Sequence, residues 1–75
     1  MANHDLDCRG MSCPMPIVRI SRTFQGLAVD DTLTVQAKDP SFRADVEAWV
    51  RKLGQELQTF SEQDGIQTAV IVKRV

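Results

Sequence analysis

The chain alternates between two hydrophobic periods. Leu6 and Cys8 alternate with Asp5, Asp7 and Arg9, the period-two pattern of a half-buried strand. Gly10-Met11-Ser12 breaks the alternation and reads as a short loop. The period then lengthens. On a helical wheel Ile17, Ile20 and Phe24 share one side, with Ser21 between them and Val18 at the edge. Met15, Arg19 and Arg22 fall on the other side, so an amphipathic helix is expected. Pro14 suits the first helical position, with Ser12 or Cys13 as the N-cap. Pro16 still lies in the first turn, where its missing N–H costs little, and Gly26 supplies the stop.

Asp30-Asp31 reads as a solvated turn, and 32–37 as a strand with its threonines facing out. Asp39-Pro40 is a cap followed by proline, a helix start. Phe42, Val46, Trp49, Val50 and Leu53 lie in one stripe of that helix and are expected in the core; Gly54 ends it. Two strand-like runs, 55–63 and 66–74, meet at Asp64-Gly65, a hairpin signal. Right-handed crossovers would put both helices over the same side of the sheet. The expected architecture is α/β: a two-layer βαβαββ sandwich, with a mixed four-stranded sheet, two helices on one face and the other face left open.

At 75 residues the chain makes one small domain over 1–75. Nine basic against ten acidic residues give a net charge of −1. That balance lacks the basic field of a nucleic-acid binder, so no direct nucleic-acid partner is expected. No apolar run has the length of a membrane span. The first residues carry neither a basic segment nor an apolar core, so a cytoplasmic chain is expected. Two cysteines cannot make a disulfide scaffold.

Cys13 is the residue that demands explanation. It stands where a loop enters a helix, next to Pro14. Unsatisfied N–H groups and the positive end of the helix dipole favour a thiolate there. Pro14 and Pro16 stiffen the turn, and Gly10 in the preceding loop allows a close approach. Neither proline offers an N–H, so donors to the sulfur must come from neighbours such as Met15. The single histidine, His4, is separated from Cys13 by the whole first strand. A nucleophile without a paired base fits a carrier better than a stand-alone enzyme such as a protease or acyl transferase.

Asp7-x-Arg9-Gly10-x-x-Cys13-Pro14-Met15-Pro16 resembles the signature of the TusA/SirA/YedF family of small sulfur-carrier proteins, and the length, element order and closing hairpin fit along essentially the whole chain. The resemblance implies a fold like the C-terminal domain of bacterial translation initiation factor three. It also implies that Cys13 accepts sulfane sulfur as a persulfide, with Asp7, Gly10, Pro14 and Pro16 as the supporting motif. A donor protein (a cysteine desulfurase or rhodanese-type enzyme) and an acceptor protein would be the partners, with no metal and no cofactor. The family's outlets include tRNA thiolation, molybdenum-cofactor assembly and sulfur oxidation. The alternative is a non-catalytic regulatory or redox-sensing module.

Cys8 is in phase with Leu6 and reads as a small core residue; its sharper reading is a second thiol that reacts with Cys13. A metal held by Cys8, Cys13 and His4 would have at most three ligands at an unusual spacing. Met11 and Met15 flank Cys13 and, with Arg9 and Arg19, make a candidate docking surface for partner proteins. Arg22 reads rather as part of a solvated helix face.

Overall fold

The computed structural model describes residues 2–12 and 15–75. Strand β1 (Asn3–Cys8), helix α1 (Met15–Phe24), strand β2 (Thr32–Ala37), helix α2 (Phe42–Leu53) and strands β3 (Glu56–Gln63) and β4 (Ile66–Val72) follow in the expected order. The sheet is mixed, in the order β1-β2-β4-β3. β1 runs parallel to β2, and the other neighbours are antiparallel.

Alternation in β2 sorts the two faces of the sheet. Leu33, Val35 and Ala37 point into the core, and the register sets Ile71 beside Leu33 and Ala69 beside Val35. Thr32, Thr34 and Gln36 point to the open face. Ile20 and Phe24 of α1 and Phe42, Val46 and Val50 of α2 pack on that one core, so both helices cover one face. The hairpin turn places Asp64 at φ 55° and Gly65 at φ 78°, the double left-handed geometry that Asp-Gly adopts readily.

Several boundaries differ from the sequence reading. β1 starts earlier, at Asn3, because its side-chain carbonyl accepts hydrogen bonds from the hydroxyls of Thr32 (2.8 Å) and Thr34 (3.4 Å). It ends at Cys8 because Arg9 enters a turn closed by the Met11 N–H on the Cys8 carbonyl (3.1 Å). Asp39 does not start α2. Its carboxylate takes the Ser41 N–H (3.2 Å) and its carbonyl the Phe42 N–H (2.9 Å). That turn through Pro40 makes Ser41 the N-cap. The last two strands are shorter than expected, with an irregularity between Leu57 and Thr59.

The apolar stripe of α2 is also narrower than read. Phe42, Val46 and Val50 are buried, but Trp49 is half-buried at the flank and Leu53 is 42% exposed. Leu53 has the right phase, but it is the last helical residue, just before the chain reverses at Gly54 (φ 75°). Asp31 is a further correction. It is 7% exposed, not a solvated turn residue. Its carboxylate accepts the Ala2 N–H (2.9 Å) and the Ala28 N–H (3.1 Å). His4 Nε2 stands 3.4 Å from the same carboxylate. These amide bonds and the imidazole hold the Asp31 carboxyl below the usual aspartate range.

Candidate functional site

β1 and β2 are parallel, with Cys8 opposite Ala37, so both end at the same edge of the molecule. Each strand feeds a helix from that end. The N-termini of both helices and residues 9–12 therefore gather at the carboxyl ends of the parallel strands, the usual ligand side of such sheets.

The loop is braced from the β1 side. Asp7 holds Arg9 by a two-point pair, Nε to Oδ1 at 2.9 Å and Nη2 to Oδ2 at 3.0 Å. The Arg9 N–H also binds Asp7 Oδ1 (3.0 Å). These bonds, led by the guanidinium contact, lower the Asp7 pKa to about 2. Asp7 and Arg9 thus act on each other across an exposed turn, and the Arg9 charge is already matched by a carboxylate. Gly10 is exposed, its φ is not left-handed, and a Cβ there would meet nothing within 4 Å. No close approach accounts for this glycine among the described residues.

On the helix side, the Met15 N–H is bonded to the Ser12 carbonyl (2.9 Å). That bond closes the turn into α1; the expected donation from Met15 to the sulfur concerns Cys13, which lies outside the described residues. Pro16 is fully buried: it packs the first turn of α1 onto the core rather than merely tolerating it. Met15 is 45% exposed, and Arg19 and Arg22 are exposed along the outer face. Met11 differs from Met15, since it is half-buried and packs against the core. Cys13 and Pro14, on which the reactive-thiol reading rests, lie outside the described residues.

Cys8 has no exposed surface. Burial, opposed by Arg19 and reinforced by Asp7, pushes its thiol above the ordinary range and keeps it protonated. Cys8 closes β1 at one end and His4 lies near the other, four residues back, roughly 13 Å along an extended strand. The two cannot ligate one metal ion.

The structure adds a feature that the sequence pattern left unread. Ile17, Val18, Ser21 and Arg22 of α1 and Trp49 of α2 line a groove of about 440 Å³ between the helices. Trp49 is set edge-on against Phe24, with centroids 5.0 Å apart and planes at 83°. The signals were present in the sequence as Val18 at the edge of one apolar stripe and Trp49 within another, but wheels of single helices do not show where two helices diverge.

Comparison with known proteins places these observations in a family. The model of the family described as sulfurtransferase TusA matches residues 4–73. A Neisseria meningitidis protein named as a candidate sulfur carrier is 39% identical over 71 residues, 95% of this chain and 96% of its own. A similarly named Archaeoglobus fulgidus protein is 37% identical, covering 93% of this chain and 95% of its own. The sulfur carrier protein TusA of Allochromatium vinosum is 33% identical, covering 84% and 83%. With the βαβαββ sandwich and the family model matched over nearly its whole length, this chain belongs to the TusA family of sulfur carriers.

Proposed function

We propose that Cys13 carries sulfur as a persulfide between two partner proteins. The observation that carries this reading is membership of the TusA family over a span that includes Cys13-Pro14-Met15-Pro16. In the loading step the Cys13 thiolate attacks the outer sulfur of a donor persulfide, R–S–SH. A new S–S bond forms on Cys13, the donor's S–S bond breaks, and the donor leaves as a thiolate. In the unloading step an acceptor thiolate attacks the outer sulfur of Cys13–S–SH and the Cys13 thiolate departs. Both steps exchange sulfane sulfur between thiolates, with no oxidant or metal in the balance.

The surroundings support a one-thiol carrier. In the sequence Cys13 stands two residues before Met15, which opens α1, and a helix N-terminus favours a thiolate; the other cysteine, Cys8, is buried and its pKa is raised. A cysteine desulfurase or a rhodanese-type enzyme fits the donor role, and tRNA thiolation, cofactor assembly and sulfur oxidation are the outlets to test. The cytoplasm suits a reduced thiol, and no helix among the described residues is long and apolar enough to cross a membrane.

The test is intact mass spectrometry after exposure to polysulfide, followed by peptide mapping. One added sulfur on Cys13 is expected, and Cys13→Ser should take up none. Sulfur on Cys8, or a requirement for both cysteines, would replace the carrier with a dithiol redox mechanism.

A further inference from the structure

Charge is divided unevenly between the two layers. α1 carries Arg19 and Arg22 and no acidic residue, and α2 carries one more basic than acidic residue. The helices together hold +3 and the rest of the chain −4 of a net −1. Among the described residues neither Arg19 nor Arg22 has a carboxylate partner, whereas Arg9, Arg43 and Arg74 are each paired. The helix layer is thus a basic face on a slightly acidic protein.

The interhelical groove opens on that face. Ser21 is the small residue in the middle of an otherwise bulky flank of α1, and it leaves a notch facing Trp49. Packing on Phe24 fixes the indole, so the far wall is rigid. An aromatic that is already ordered loses little entropy when a partner packs on it, which is how binding hot spots work. Val18 lies three residues beyond Met15, the first residue of α1, and so one helical turn, roughly 5 Å, along the axis. A protein seated in the groove would stand beside the head of the helix, where the sequence puts Cys13.

We infer that the groove between Ile17, Val18, Ser21 and Trp49 is the seat for the protein that loads Cys13, which inserts an apolar side chain over Ser21 and sets flanking carboxylates on Arg22 and Arg19. The inference rests on the sulfur-carrier reading. The groove is open along its outer side, which suits a protruding side chain of a protein rather than a small molecule that must be enclosed. The arginines speed encounter and orient the donor, and the Trp49 wall holds it.

The experiment compares two ways of loading Cys13. Polysulfide needs no docking; a sulfur-charged cysteine desulfurase and a sulfur-charged rhodanese-type enzyme from the same organism do. Ser21→Leu fills the notch, and Arg22→Glu reverses its charge at an exposed position that should not disturb folding, which melting curves would verify. Loading by polysulfide should stay within about twofold of wild type, while kcat/KM for loading by a protein donor should fall about tenfold or more in each variant. Trp49 is the only tryptophan, so its fluorinated analogue gives a single fluorine resonance that should shift when the donor binds wild type and not when it meets either variant. Protein-donor rates unchanged in Arg22→Glu, or a resonance that does not move, would overturn the groove. So would wild type that loads from polysulfide but from neither protein. Failure of polysulfide itself to load wild type would overturn the carrier reading instead.

Discussion

Replacing Cys8 by alanine and by serine separates a packing thiol from a reacting one. Cys8 sits in the core row opposite Ala37 with no exposed surface. Cys8→Ala removes one heavy atom from a packed site, a change comparable in size to Ile→Val, and should cost about 0.5–1.5 kcal/mol. Cys8→Ser keeps the volume but buries a hydroxyl with stronger hydrogen-bonding demands than a thiol, and should cost about 1–3 kcal/mol. In a domain of this size each kcal/mol lowers Tm by roughly 4–8 °C, so the order wild type, alanine, serine is resolvable by thermal melting. The thiol has a second signature. Its pKa is raised by burial, so alkylation of Cys8 in a Cys13→Ser background should be slow at neutral pH and should rise steeply on unfolding. Sulfur uptake on Cys13, read by mass, should survive both Cys8 substitutions. A serine variant as stable as wild type, or fast alkylation of native Cys8, would refute the burial on which the reasoning stands. Loss of sulfur uptake in Cys8→Ala would refute the one-thiol carrier.

Three further outcomes are expected. Trp49→Ala should cost about 2–3 kcal/mol, less than for a fully buried tryptophan because one side of the indole lines the groove; a Tm unchanged from wild type would show that the edge contact with Phe24 does not hold the helices together. Asp31 has a folded pKa below its unfolded value, so its contribution to stability is present above about pH 4 and is lost as the pH falls through the lowered folded value; the gap in urea midpoint between wild type and Asp31→Asn should be widest near neutrality and close in acid, and a gap independent of pH would mean that the charge is not what binds the Ala2 and Ala28 amides. Met15→Glu with Arg19→Glu should slow protein-donor loading mainly through the association rate, with an effect that shrinks at high salt, and equal rates would take the outer face of α1 out of docking.

How far the sequence could be read depended on whether a feature is set by one element or by two. The periodicities of β2, α1 and the closing hairpin are local, and the structure has all three where alternation, wheel and Asp-Gly put them. Cys8 in the core followed from strand phase alone. What failed was decided between elements. Asp31 looked like half of a solvated turn, but it lies where β1 begins beside the 28–31 loop, and the distant Ala2 amide joins the local Ala28 amide on its carboxylate. Met11 looked like a twin of Met15, but the turn at Cys8–Met11 folds it back onto the core. The Asp7–Arg9 pair is local, two residues apart, but strand phase alone does not show that the two side chains meet.

The same distinction separates the proposed chemistry from the surface that would serve it. The Cys-Pro-Met-Pro run was legible because it is contiguous, but the surface that would choose its partners is not. The described chain on either side of Cys13 is braced: by the Asp7–Arg9 pair next to β1, and by the Ser12–Met15 bond and the buried Pro16 at the start of α1. None of these groups has to act on the sulfur, since thiolate exchange needs only a nucleophile, exposure and a docked partner. The proposed reaction thus places few demands on the chain beyond one cysteine. On the proposed reading, the selection of partners falls to the helix layer, where the excess positive charge and the Ser21–Trp49 notch both lie. Substitutions there should change which protein loads Cys13 without changing whether it can be loaded.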